Sequence, residues 1–123
     1  DLLISWKLIV PLNQAAGRAI SDKAIEDSAI RAAELAAIYD AIFLIIPHRG
    51  LWVGADTARS LNIHDKFIRG LRSRNLEFID MREHMEKGGN PMRFHFANDG
   101  HWRVEGHAIA ARALANTIRR QGW

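Results

Sequence analysis

The chain has no cysteine. Disulfides and thiolate metal sites are therefore excluded, and the compartment is left open. A long hydrophobic run is missing as well. The longest, A-I-F-L-I-I-P at residues 41–47, is far too short to cross a bilayer, so a membrane partner is not expected. There is no block of one charge sign. Lysine and arginine give a net charge of +3 and a pI of about 9.8, but they are scattered. Without a basic face or a nucleic-acid motif, no nucleic-acid partner is expected. Internal repeats, low-complexity tracts and linkers are absent, and no signal peptide is visible. The chain begins at Asp1 rather than Met, which reads as a truncated or processed product.

What is present is ordinary for one small globular domain with one core. The chain has 123 residues, 48% of them hydrophobic and 25% charged. Residues 1–19 carry Leu2, Leu3, Trp6, Ile9 and Val10 at helical spacing before Pro11. Ser21 is a good N-cap for a helix over residues 22–38. Asp22, Glu26 and Asp27 load its first turns, and Ile25, Ala29, Ala32, Ala33 and Ala36 form a narrow stripe suited to lying close against a sheet. Residues 41–46 are apolar without alternation, which predicts a strand buried on both faces, as in a parallel sheet. His48-Arg49-Gly50 then occupies the strand's C-terminal end, where open α/β sheets hold their ligands.

A helix is predicted over residues 57–74, with Leu61, His64, Phe67, Ile68 and Leu71 on one face and Asn75 as its C-cap. Residues 76–80 read as a short strand ending in Asp80, and residues 81–87 as a short helix closed by Gly88-Gly89. A last helix over residues 104–120 turns Val104, Ala108, Ala111, Leu114 and Ile118 inward. Helices alternating with buried strands predict a three-layer parallel α/β architecture. Only two strands are evident, whereas doubly wound sheets have about five or six. The remaining strands are therefore expected outside this chain.

The chemistry concentrates in residues 94–107, F-H-F-A-N-D-G-H-W-R-V-E-G-H. Asp99 and His101 flank a single glycine, so one turn can bring both side chains to one place. An Asp beside a His is the orienter-and-base half of a nucleophilic triad. The block Asp99-Gly100-His101-Trp102, followed by Glu105-Gly106-His107 and an alanine-rich helix, resembles the C-terminal block of the SGNH (GDSL-like) hydrolases. Many members of that family space the pair as D-x-x-H, which would put Asn98 in the acid's position. Others, including acetyltransferase-like members, use D-x-H, which fits Asp99 and His101.

The resemblance implies a flavodoxin-like, SGNH-type sheet of which this chain is the C-terminal part. It also implies acyl transfer at an ester, commonly an O-acyl group on a carbohydrate or lipid. His101 would be the base and then the acid, and Asp99 its orienter. No cofactor or metal is needed for that chemistry. Ser5, Ser21, Ser28, Ser60 and Ser73 all sit in or at the start of predicted helices, none in G-D-S or G-x-S-x-G. The nucleophile is therefore expected outside this chain, upstream of Asp1.

Each residue also has an ordinary role. Asp99-Gly100 makes a turn, and His101 is a hydrogen-bonded imidazole. Trp102 and His107 pack, Asp80 caps the following helix, and His64 is a satisfied core histidine. A zinc or iron site from His95, Asp99, His101 and His107 matches no standard ligand spacing and is not expected. A second class of function is a non-catalytic α/β module that binds carbohydrate or self-associates, since dimerisation would cover the open edges of so small a sheet.

Overall fold

The computed structural model describes residues 20–122. The helix expected over residues 1–19, and Ser5 within it, lie outside the described residues. The fold is α/β. Its centre is a parallel pair of short strands, β1 (Phe43–Ile45) and β2 (Phe78–Asp80), with Phe43 opposite Phe78, Leu44 opposite Ile79 and Ile45 opposite Asp80. Helix α2 (Thr57–Arg72) connects them. Both strands are shorter than their apolar runs, because the ladder forms only where the two segments lie side by side.

The absence of alternation in the strands has a direct structural counterpart. Phe43, Ile45 and Phe78 pack on a cluster built around Ala29, Ala32 and Leu71, while Leu44 and Ile79 join a second cluster with Met81, Met85, Phe94, Trp102, Ala110 and Ala113. Successive strand residues point to opposite faces, and each face meets its own apolar cluster.

Helix α1 spans Asp22–Ile38, and Ser21 Oγ accepts the Ala24 N–H at 3.1 Å as its N-cap. Its small-residue stripe lies against α2 as well as the sheet. A Cβ on Gly70 of α2 would come within 2.9 Å of Ala29 Cβ, so the two helices meet at a glycine and an alanine. Helix α2 ends at Arg72, and Asn75 follows in the left-handed region (φ 54°). Helix α3 (Met81–Glu86) starts directly from β2: Asp80 Oδ1 accepts the Arg82 N–H at 3.0 Å.

Helix α4 (Val104–Gln121) departs from its expected face. The buried residues are Gly106, Ala110, Ala113 and Thr117. Val104 is 79% exposed, and Ala111 is exposed too. The face is set by Gly106, where a Cβ would stand 3.0 Å from Trp102 Cβ and 3.1 Å from the Phe94 carbonyl oxygen. The helix rolls to bring its one missing side chain against the indole, and the larger Val104 is carried outward.

Candidate functional site

Residues 94–103 form a tight loop between the 3₁₀ turn Pro91–Phe94 and α4. His95 and Trp102 bridge in antiparallel fashion. The Phe96 N–H donates to the His101 carbonyl at 3.1 Å, and the Arg103 N–H donates to the Phe94 carbonyl at 2.7 Å. His95 and Trp102 are buried, whereas Phe96 and residues 97–101 are exposed. The extended backbone on each side sends alternate side chains to core and solvent.

Asp99 and His101 meet at the apex of this loop. Asp99 Oδ1 accepts the backbone N–H of His101 at 2.6 Å and also bonds the ring nitrogen His101 Nδ1. The backbone N–H, then the imidazole, and more weakly the Arg49 guanidinium hold the Asp99 carboxyl below the usual carboxylate range. With Nδ1–H donated to the carboxylate, the lone pair falls on Nε2. That nitrogen sits on a side chain that is 85% exposed, while Asp99 is 49% exposed. The arrangement presents an oriented base with an open second nitrogen. Asn98, the other candidate for the acid, makes no side-chain hydrogen bond among the described residues.

The end of β1 reaches the same loop. Arg49 opens the 3₁₀ turn Arg49–Leu51, and its Nη1 donates to the Asp99 carbonyl at 3.3 Å. His48 Nδ1 accepts the Gly50 N–H at 3.1 Å. Burial, and then the adjacent Arg49 charge, hold the His48 ring below its ordinary value. His95 lies in the core beneath, with its ring centroid 5.6 Å from that of Trp52 and its Nδ1 3.3 Å from the Pro91 carbonyl. Burial lowers its pKa, opposed by the Pro91 carbonyl and reinforced by Arg49 and His48.

Other expected roles fall into place around these groups. His107 lies edge-on to Trp102 at 5.8 Å. His95, Asp99, His101 and His107 do not converge, and no group of three or more His, Asp or Glu among the described residues is arranged to hold a metal ion. The described serines have local duties or none. Ser21 caps α1, Ser28 and Ser73 donate to Ala24 O and Gly70 O, and the Ser60 hydroxyl has no hydrogen bond among the described residues. None bonds His101.

Two features were not foreseen from sequence. His64 Nε2 and Asp80 Oδ2 lie 2.9 Å apart, with side chains only 9% and 8% exposed. Each residue had been given a separate structural role, and only the chain's fold brings them together. The Arg49–Asp99 tie spans 50 positions in the chain and left no local signal. Its one trace was the placement of Arg49 at a strand's C-terminal end.

A family model described as an SGNH hydrolase-like domain, acetyltransferase AlgX, matches residues 47–123, more than half of the chain. No curated protein and no solved structure matches. The matched span contains the Arg49 turn, α2, β2 and the whole Asp99–His101 loop, and on that match the chain belongs to the SGNH hydrolase-like domain family of the AlgX acetyltransferase type.

Proposed function

We propose that this chain supplies the acid–base half of an acyl-transfer site acting on an O-acyl ester of a small molecule or carbohydrate. The observation that carries the reading is the Asp99 carboxylate. It holds both the backbone N–H and Nδ1 of His101 and leaves Nε2 open. In the reaction His101 Nε2 takes the proton of a serine hydroxyl as the serine oxygen attacks the acyl carbon. The C–O bond to the leaving alcohol then breaks as the imidazolium returns that proton to the departing oxygen. A water or an acceptor hydroxyl, deprotonated by the same nitrogen, resolves the acyl-serine. Asp99 fixes the tautomer and stabilises the imidazolium.

The serine comes from outside this chain. A dyad this exposed acts in high dielectric, where its orientation is worth little. Covering it with the nucleophile-bearing part of the protein removes that water. Phe96 and Val104, large apolar residues exposed on either side of the pair, suit such a cover. The same completion would extend the two-stranded sheet into a three-layer, flavodoxin-like one.

The test uses the native polypeptide with a chromogenic acetyl ester. Turnover that is lost in His101→Ala supports the reading, and turnover that survives in that variant sinks it. Acetyl recovered on an added carbohydrate acceptor marks a transferase, and acetate released to water alone marks a hydrolase.

A second reading is a self-associating, non-catalytic module. Ile38, Tyr39 and Ile46 are exposed near the end of α1 and after β1, and a second copy would cover them. It predicts a mass that rises with concentration and no ester turnover. No helix among the described residues is long and apolar enough to cross a membrane.

A further inference from the structure

We propose that Arg49 is a positioning residue for the Asp99–His101 pair, clamping the loop that carries it to the end of β1. This inference rests on the acyl-transfer reading.

The loop apex is otherwise held only from within. Its bonds are Phe96 N–H to His101 O, Asp99 N–H to Phe96 O, and the two that Asp99 receives from His101. The Arg49 Nη1 bond to the Asp99 carbonyl is the only hydrogen bond among the described residues that ties residues 97–101 to a distant part of the chain. Arg49 itself is well anchored. The Leu51 N–H donates to His48 O and the Trp52 N–H to Arg49 O, both at 3.0 Å, and His48 Nδ1 accepts the Gly50 N–H. A half-buried guanidinium on a fixed turn thus reaches the solvent-facing Asp99–His101 pair and pins it from its backbone side.

The charge has a second consequence. Among the described residues Arg49 makes no ion pair with a carboxylate, so its field is not cancelled by a close partner. At Asp99 it adds the smallest part to a shift set mainly by the His101 backbone N–H and imidazole, and at His48 and His95 it adds to burial in disfavouring protonation. The titratable and charged groups facing Asp99 are His101 on its own loop and Arg49 from the turn after β1.

Removing the clamp displaces the base from its nucleophile. In Arg49→Gln of the native polypeptide, kcat for the acetyl ester should fall by roughly 10²-fold with KM unchanged, the scale of a misplacement of about 1 Å. Arg49→Lys keeps a cationic donor at the turn and should restore most of kcat, with KM unchanged. If Arg49→Gln does not fold, Arg49→Lys still decides, since a partly lowered kcat with a native KM is what a charged but shorter clamp gives.

A loss confined to KM overturns the inference, because Arg49 would then be binding substrate. An Arg49→Gln enzyme with native kcat overturns it as well, as does an Arg49→Lys enzyme whose KM changes while kcat does not. Failure of the underlying reading looks different: turnover then survives His101→Ala, whatever Arg49 does.

Discussion

The molecule contains the same two residue types joined twice, and the two pairs do opposite things. His64 and Asp80 meet 2.9 Å apart with their side chains 9% and 8% exposed. His101 and Asp99 meet with theirs 85% and 49% exposed. The first pair ties α2 to the end of β2, and its Asp also caps α3 through Arg82 N–H. Every polar atom of that carboxylate has a structural duty, and the imidazole nitrogen that would do chemistry is the one already bonded. In the second pair the carboxylate takes Nδ1 and the backbone N–H, and Nε2 remains open. Pairing alone therefore says nothing about function. What matters is which ring nitrogen is spent and whether the other can reach a reactant.

The comparison breaks most sharply in activity. His101→Ala should abolish ester turnover in the native polypeptide, and Asp99→Asn should lower kcat by roughly 10³- to 10⁴-fold through loss of the correct tautomer. Neither should move the thermal midpoint much, because both groups face water. The buried pair should answer in the reverse sense. Asp80→Ala leaves a buried imidazole without its partner and α3 without its cap, and should destabilise by about 2–4 kcal/mol in denaturant unfolding. If Asp80→Ala proves as stable as the native chain, the two pairs are not divided in the way drawn here.

A pH titration sharpens the contrast. Burial lowers the pKa of His95 and of His48, with Arg49 adding to both. Above about pH 6.5 both rings are neutral folded or unfolded, so they contribute nothing to the pH dependence. Below it the unfolded chain takes up protons that the folded rings refuse. Stability therefore falls as pH drops through 6.5 toward the folded values. The Asp99 shift works lower down: its contribution is present above the usual carboxylate value and disappears as pH falls through its depressed one. Thermal midpoints measured between pH 7.5 and 5.0 should decline, and His95→Gln should flatten the decline. A flat profile in the native chain would contradict the assignment of His95 as buried and neutral.

The smallest effect concerns α4. Gly106→Ala adds a Cβ against Trp102 and the Phe94 carbonyl. Overpacking destabilises by about 1–3 kcal/mol, partly offset by the roughly 1 kcal/mol better helix propensity of alanine. A modest net loss is expected in chemical denaturation, with the loop that holds His101 loosened along with it. A gain in stability would mean the helix was not held by this contact.

Much of this was legible in the linear chain, because it depends on near neighbours. The Ser21 cap, the length of α1, the end of β2 at Asp80 and the turn that joins Asp99 to His101 all arise from residues within four positions of one another. The unbroken apolar run of residues 41–46 announced a strand covered on both faces, since hydrophobicity without alternation has no other efficient burial. The block around Asp99-Gly100-His101-Trp102 pointed to the family for the same reason: its residues lie within one loop.

Tertiary structure alone decided the rest. The inward face of α4 depended on where Trp102 would lie, and a stripe of alanines carries too little contrast in size or polarity to fix a helix's rotation. The His64–Asp80 pair and the Arg49–Asp99 clamp join residues 16 and 50 positions apart. Only the packing of β1, α2 and the 94–103 loop brings those groups within hydrogen-bond reach. Local sequence set the propensities and the turn chemistry. Which polar groups were buried and spent, and which stayed open to react, followed from the folded chain's geometry, because burial belongs to the whole molecule rather than to any one segment of it.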